Sequence, residues 1–135
     1  MRALLDTSVL IGAESPGELE GAISAASLAE LHFGVQVAHD DDERARRALR
    51  LGVIESTFEP LPIDAPVARE WGRLAAAIRT RGGRPRRRAM DLAIAAAANV
   101  HGVPLLTLDT DDFKLIDDLV EIRPPRSDPG EPAPT

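Results

Sequence analysis

Short apolar runs alternate with longer amphipathic segments along the chain, and this alternation predicts the order of its elements. Brief apolar runs indicate buried strands, whereas apolar positions at helical spacing predict helices. The predicted strands are residues 2–6, 22–25, 58–63, 104–108 and 119–123. The predicted helices are residues 8–13, 27–37, 40–54, 64–81, 88–100 and 111–116. Strands separated by helices predict an α/β protein with a mainly parallel central sheet.

Capping residues and helix breakers mark the ends of several predicted helices. Asp64 is a good N-cap, and Pro66 fits the first turn of the helix that follows it. Acidic residues at 40–43 precede a run of arginines in another helix, which is the order that the helix dipole favours. The segment 82–85 combines two glycines with a proline, and it therefore ends the helix before it.

Carboxylates lie at the edges of several apolar segments. The candidates are Asp6, Glu30, Asp91 and Asp109, with Asp112 as a close fifth. Parallel sheets bind ligands outside the carboxyl ends of their strands, where Asp6 and Asp109 are expected, and helix N-termini bring Glu30 and Asp91 to the same crevice. Carboxylates beside a core are costly unless they are paired or bind a metal. Because few cations accompany these acids, the pattern indicates a divalent cation held by oxygen ligands.

Each acid has a simpler structural explanation when it is taken alone. Ser27 and Glu30 have the spacing of a capping box. Asp91 suits a helix N-terminus, Asp6 is placed to cap a helix, and the acids of residues 109–112 fit an ordinary acidic turn. The joint occurrence of these carboxylates favours the metal site over four independent explanations.

Composition limits the possible classes of protein. A chain of 135 residues with 44% hydrophobic residues is typical of one domain with one core. The absence of cysteine excludes a thiolate nucleophile and a disulfide framework. No apolar stretch approaches the roughly 20 residues of a membrane-spanning helix, and no signal peptide is recognisable, so a cytoplasmic location is expected. Residues 1–123 are predicted to form the domain, and the Pro- and Gly-rich residues 124–135 a disordered tail.

The distribution of arginines points to a nucleic acid, although the net charge of −6 argues weakly against one. Six arginines and no acid lie between Arg79 and Arg88. Guanidinium groups are suited to bidentate contacts with phosphate. A solvated loop is the alternative explanation for this segment.

Four segments of the chain resemble the PIN-domain nucleases, and among them the VapC toxins of bacterial toxin–antitoxin pairs. These segments are Leu4–Ile11, Ser24–Leu31, Met90–Ala96 and Leu106–Phe113. Their order and spacing agree with the family along residues 1–123. One such segment alone is weak evidence, whereas all four in order make a strong resemblance.

The resemblance implies a three-layer α/β/α PIN-like fold with a mainly parallel central sheet. It also implies an endoribonuclease that depends on Mg²⁺, with Mn²⁺ as a substitute. Family members usually form homodimers and are neutralised by a small VapB-type antitoxin from the same operon. RNA, an antitoxin and a toxin–antitoxin hetero-oligomer are therefore the expected partners, and no membrane is expected.

The positions of the family motif place Asp6, Glu30 and Asp91 at the site. Family members have Asn or Asp at the position of Asp109 and an acid at the position of Asp112, so both remain candidates for the fourth acid. The expected metal ligands are Asp6, Asp91 and Asp109, and Glu30 is expected to hold a water molecule or act as general base. The hydroxyl of either Thr7 or Thr107 is expected to orient a carboxylate by a hydrogen bond. The residues expected to hold the RNA backbone are Arg84, Arg86, Arg87 and Arg88.

Other classes fit the sequence less well. A response-regulator receiver domain needs a lysine near its phosphoacceptor, but Lys114, the single lysine, follows the last site acid. A haloacid-dehalogenase-type phosphatase needs an acid where Ser8 stands, and the motif of a nucleotide-binding P-loop is missing. The alternative that remains is a catalytically silent PIN-like module that binds RNA or protein. Such a module would be expected to have lost a site acid, and none is lost here.

Overall fold

The computed structural model describes residues 1–125 of the chain. The strands in this part are Leu4–Leu5 (β1), Leu105–Leu106 (β2) and Ile122–Arg123 (β3). The α-helices are Thr7–Gly12 (α1), Ala25–Gln36 (α2), Asp41–Thr57 (α3), Ala65–Thr80 (α4) and Ala89–His101 (α5). Short 3₁₀ helices span Pro16–Glu18, Pro85–Arg88 and Thr110–Ile116. Of the tail predicted to be disordered, residues 126–135 lie outside the described residues. No helix within the described part is long and apolar enough to cross a membrane.

The sheet is parallel, as predicted, and β2 lies between β1 and β3. Leu4 and Leu5 of β1 pair with Leu105 and Leu106 of β2. Isolated parallel bridges extend the sheet beyond β1, first through the chain around Ala22 and then to Leu61. The backbone at these positions forms real ladder contacts, such as Leu5 N donating to Ala22 O at 2.8 Å. The carboxyl ends of these segments therefore meet at one edge.

The strands predicted at 22–25 and 58–63 are shorter in the structure, where each contributes an isolated bridge. The first is cut short because Ser24 caps α2, so the chain turns into a helix at Ala25. The second is limited because Pro60 and Pro62 flank Leu61 and have no N–H group to donate to a ladder.

Two hydrophobic cores pack against the opposite faces of the sheet. Leu4 and Leu105 belong to the core that contains α4, α5 and Phe113. Leu5 belongs to the second core, which contains residues of α1, α2 and α3. Successive residues of a strand point to opposite faces, so two leucines in sequence reach two separate cores. This arrangement confirms the three-layer α/β/α fold.

Helix α5 is buried along most of its length. Its residues 92–98 are all 2% exposed or less, and five of the seven are alanines. Alanine forms helices well and occupies little space, so α5 packs closely against both α4 and the sheet. The helix ends at Gly102, whose φ of 67° lies in the left-handed region that favours glycine. The first turn of α5 contains Asp91.

The predicted helix starts are confirmed where a carboxylate caps them. The side chain of Asp40 accepts a hydrogen bond from Glu43 N at 2.7 Å at the start of α3. The side chain of Asp64 accepts one from Val67 N at 3.1 Å at the start of α4. These caps satisfy backbone donors that have no partner within the helix.

Candidate metal and active site

Asp6 lies directly after β1 and is almost completely buried, with 4% of its surface exposed. Its Oδ2 accepts hydrogen bonds from Ser8 Oγ at 2.8 Å and from Thr107 Oγ1 at 2.9 Å. Its Oδ1 is buried and has no hydrogen-bond partner among residues 1–125. A buried carboxylate oxygen without a partner is costly. This oxygen is therefore placed to bind a cation.

The hydroxyl groups around Asp6 connect the ends of β1 and β2. Leu108 N donates to Ser8 Oγ at 3.0 Å, and Asp109 N donates to Thr107 Oγ1 at the same distance. The expectation that Thr107 orients a carboxylate agrees with this geometry. Ser8 has the same role and was not predicted as a site residue. Its signal in the sequence is its position two residues after Asp6, within reach of the same carboxylate.

Glu30 is held by Thr7 and does not cap its own helix. Thr7 Oγ1 donates to Glu30 Oε1 at 2.6 Å and lies 2.9 Å from Ser27 Oγ. The N-cap of α2 is Ser24, so Ser27 lies within the helix and the capping box suggested by the sequence is not formed. The contact with Thr7, which follows Asp6 in sequence, brings the Glu30 carboxylate to the end of β1.

Asp91 lies near the other acids, and their negative charges act on its carboxyl group. The pKa of its carboxyl group is raised from 3.8 to about 6, first by burial and then by the negative charges of Asp6 and Glu30. Arg88 opposes this increase, and Asp112 adds to it. The structure therefore brings carboxylates near one another from the end of β1, the second turn of α2, the first turn of α5 and the 3₁₀ helix 110–116.

Asp112 has a closer relation to this cluster than Asp109. Asp112 belongs to the 3₁₀ helix 110–116, and its charge acts on Asp91. Asp109 and Asp112 are both exposed, but the side chain of Asp109 makes no capping hydrogen bond to the helix that follows it, and Asp109 is not among the charges that raise the pKa of Asp91. The structure thus favours Asp112 as the fourth acid, a choice that the sequence left open.

Arg88 differs from the other arginines predicted to hold RNA. Its Nη1 lies 2.7 Å from Asp112 Oδ1 and 3.7 Å from Asp91 Oδ2. The hydrogen bond with Asp112 raises the pKa of the Arg88 guanidinium. The expectation that the site acids have few basic partners is therefore wrong for Asp112 and Asp91. Arg84, Arg86 and Arg87 are exposed.

The carboxylate oxygens of these acids are the kind of ligand that a hard divalent cation prefers, although the side chains do not surround a common point. Across residues 1–125, no three carboxylate or imidazole groups lie close enough together to enclose an ion. The partnerless oxygen of Asp6 and the repulsion acting on Asp91 both favour a cation between these acids. The side chains would have to move toward the ion, and Arg88 would have to release its two partners.

Comparisons with known proteins agree with this arrangement. A PIN-domain family model matches residues 3–119. The chain is 40% identical to Ribonuclease VapC5 of Mycobacterium tuberculosis, over 84% of this chain and 87% of the relative. It is 38% identical to Ribonuclease VapC4 of the same bacterium, over 82% and 88% of the two chains. Its structure is similar to a chain of VapBC-5 from M. tuberculosis, a member of the VapBC toxin–antitoxin systems. That match has a TM-score of 0.75 and 37% identity, and it covers 93% of this chain and 99% of the other.

Replacement of Asp91 by Asn is expected to stabilise the metal-free protein at neutral pH. The folded protein keeps the proton of Asp91 up to a pKa of about 6, whereas the ordinary value is 3.8, so the carboxylate reduces stability as the pH rises through this range. The variant avoids this loss and should be more stable by roughly 2 kcal/mol above pH 7, with no difference below about pH 4. Urea unfolding in EDTA at several pH values measures the difference.

Asp118→Asn is the matched control for this measurement. The pKa of Asp118 is lowered by its hydrogen bond with Arg81, so its negative charge favours the folded state above the ordinary pKa. The control should therefore lose stability at neutral pH, in the opposite direction to Asp91→Asn. A variant Asp91→Asn that is no more stable than the wild type at pH 7 would contradict the unfavourable environment of Asp91.

Proposed function

This chain belongs to the PIN-domain family and, within it, to the VapC ribonucleases of toxin–antitoxin systems, and on that basis we propose that its carboxylate site cuts RNA with Mg²⁺ or Mn²⁺. The observation that supports this most directly is the grouping of Asp6, Glu30, Asp91 and Asp112, with one buried oxygen of Asp6 lacking a partner. Such a set of oxygen ligands suits a hard divalent cation. The proposed substrate is an RNA phosphodiester, and the proposed reaction is hydrolysis within the strand.

Asp6 and Asp91 are the proposed direct ligands. When bound, the metal activates a water molecule for in-line attack on the phosphodiester and offsets the charge on the leaving oxygen. Ser8 and Thr107 fix the orientation of Asp6 through Oδ2, and this leaves Oδ1 free for the ion. Glu30, which accepts a hydrogen bond from Thr7, is the proposed general base for the attacking water.

Asp112 is the proposed fourth acid, and Arg88 is its partner when the metal is absent. The guanidinium of Arg88 bridges Asp112 and Asp91, so it offsets part of the charge repulsion at the site. Asp109 was expected as a metal ligand from the family motif. It is not among the charges that raise the pKa of Asp91, which supports a lesser contribution, and its role remains a prediction.

A groove formed by α1, α2 and α3 is the proposed binding site of the antitoxin. Its volume is about 730 Å³, and its apolar lining includes Ile11, Leu49 and Val53, which are 57%, 72% and 37% exposed. Exposed apolar side chains that adjoin one another mark interaction surfaces. Glu30 lines the same groove, so a bound chain would reach the carboxylate site. The structurally similar VapBC-5 is a member of the VapBC family of toxin–antitoxin systems, which supports an antitoxin as the occupant. The homodimer implied by the family resemblance stays a prediction.

Purified protein is expected to cleave single-stranded RNA in Mg²⁺ or Mn²⁺ and to lose this activity in EDTA. Asp6→Asn and Asp91→Asn should each reduce cleavage by about 100-fold or more, because they remove charge that holds the ion at the reacting phosphate. Gel analysis of a labelled RNA measures the activity, and circular dichroism verifies that the variants are folded.

Asp118→Asn, which changes an acid outside the site, should keep wild-type activity in the same assay. Retained cleavage in both Asp6→Asn and Asp91→Asn would contradict the assignment of the site. Binding of RNA by the wild type without any cleavage in either metal would support the catalytically silent alternative.

The two candidates for the fourth acid are expected to differ in metal-linked stability. Metal that binds only the folded protein stabilises it by about 2.7 kcal/mol at one hundred times its dissociation constant. Asp112→Asn should weaken Mn²⁺ binding by about 10-fold or more, whereas Asp109→Asn should change it little. Melting curves recorded across a range of Mn²⁺ concentrations measure both affinities. The reverse order of effects would restore Asp109 as the ligand.

A charge placed in the groove is expected to prevent antitoxin binding. Leu49→Arg puts a cation on an exposed apolar position of the groove, and it should weaken the complex by about 10-fold or more. Val100→Arg, at a position 39% exposed outside the groove, is the control. Association is measured with the purified product of the neighbouring reading frame, together with inhibition of RNA cleavage. Equal binding by the two variants would exclude this groove as the site.

A further inference from the structure

A second depression lies beside the carboxylate site and has the opposite charge. This basic cleft has a volume of about 490 Å³ and lies between the loop after α4 and the 3₁₀ helix 110–116. Its cations are Arg84, Arg87, Arg88 and Lys114, and its carboxylates are Asp111 and Asp112. Four cations against two acids give the cleft a net positive charge in a protein whose overall charge is −6.

The cations of the basic cleft are only weakly engaged, apart from Arg88. Lys114 Nζ lies 3.3 Å from Asp111 Oδ1, with the two side chains 72% and 84% exposed. Such an exposed pair contributes at most about 1 kcal/mol, so an anion would readily replace Asp111. Among residues 1–125, Arg84 and Arg87 form no ion pair. At least three cations are therefore available to a bound anion.

One wall of the basic cleft is apolar and closely packed. It is formed by Ile78 at the end of α4 and Leu115 of the 3₁₀ helix, with Gly83 between them. A Cβ atom at Gly83 would lie 2.6 Å from Leu115 Cδ2 and 2.8 Å from Ile78 Cγ2, so a larger residue there would require these side chains to move. The volume falls within the range of small-ligand sites, about 300–1,000 Å³. The cleft is thus suited to a ligand that has both apolar carbon atoms, which contact the wall, and a negatively charged group, which binds the cations.

The basic cleft and the carboxylate site share Arg88 and Asp112. The pair formed by these residues, with Nη1 and Oδ1 2.7 Å apart, separates the acidic side from the basic side. A ligand in the cleft therefore lies directly beside the acids that would act on the phosphodiester. An RNA strand that crosses from one side to the other would place successive phosphates on the metal and on the cations.

We propose that the basic cleft binds a backbone phosphate of single-stranded RNA adjacent to the bond that is cut, through Arg84, Arg87 and Lys114. The apolar wall contacts the sugar of that nucleotide. This inference rests on the proposed nuclease function and adds to it the path of the RNA strand across the surface. Contacts of this kind position the strand without reading its sequence. Lys114 is a new participant. Arg86, which was expected from the sequence to hold the RNA backbone, does not line the cleft, so the proposal departs from that expectation and assigns Arg86 no contact.

The test compares Arg87→Gln and Lys114→Gln with the control Arg86→Gln. All three positions are exposed, and each change removes one positive charge. Binding of a fluorescent single-stranded RNA is measured by anisotropy in EDTA, which prevents cleavage, over a series of salt concentrations. Arg87→Gln and Lys114→Gln should each weaken binding by roughly threefold to tenfold and make the salt dependence shallower by about 0.7. Arg86→Gln should change neither quantity measurably.

Two patterns among the variants would overturn the proposed role of the cleft. One is an equal effect of all three variants, which would indicate a general attraction to charge. The other is an RNA affinity that Lys114→Gln leaves unchanged, because Lys114 is the one proposed phosphate contact that comes from the 3₁₀ helix 110–116. Duplex DNA that competes as well as the RNA, with the same pattern among the variants, would also overturn the assignment to single-stranded RNA.

A parallel cleavage assay with Mg²⁺ separates this proposal from the nuclease function. Wild-type protein that binds RNA with the expected pattern among the variants, but does not cut it, would contradict the nuclease function and support the cleft. Wild-type protein that cuts RNA, with binding equal in all variants, would support the nuclease function and overturn the cleft.

Discussion

The burial of the Asp6 carboxylate at the end of β1 is the constraint on which the site depends. A carboxylate with 4% exposure needs compensation, and the protein supplies it to only one of the two oxygens. Ser8 and Thr107 donate to Oδ2, and the hydroxyl of Thr107 also accepts from the backbone of the next loop. These bonds hold the ends of two strands together. They also leave Oδ1 buried without a hydrogen-bond partner, so a cation bound there would stabilise the protein.

The sheet and the alanine-rich helix α5 bring the other acids to this point. The strands have only two residues each, but consecutive leucines reach two different cores and fix the sheet between two helical layers. Because the buried face of α5 is largely alanine, this helix packs close to the sheet. Its first turn then places Asp91 where the charges of Asp6 and Glu30 raise its pKa. The close packing of the alanines of α5 therefore also causes the electrostatic repulsion between Asp91 and the other two acids.

Arg88 lies between an acidic and a basic region of the protein surface. On one side lie the acids of the proposed metal site, and on the other lie Arg84, Arg87 and Lys114. A phosphodiester strand needs both environments, since its phosphates bind cations and its cleavage by metal needs acids to hold the ion. When neither RNA nor metal is bound, the positive charge of Arg88 offsets part of the negative charge of Asp112 and Asp91. Binding of either ligand is therefore expected to compete for the groups of this contact.

The sequence by itself determined the order of the elements, the parallel sheet and the candidates Asp6, Glu30 and Asp91, because these features depend on local patterns of apolar residues, caps and motif spacing. The starts of α3 and α4 followed from Asp40 and Asp64 for the same reason. Only the tertiary structure decided which partner each polar group finds. Thr107 donates a hydrogen bond to Asp6, which lies 101 positions earlier in the sequence. Thr7 donates one to Glu30, which does not form the capping box that the sequence suggested. Arg88 forms an ion pair with Asp112. The strands near Ala22 and Leu61 were also shortened by competition from a helix cap and by flanking prolines. Such choices depend on which groups the packing brings within about 3 Å of one another, and no local pattern contains that information.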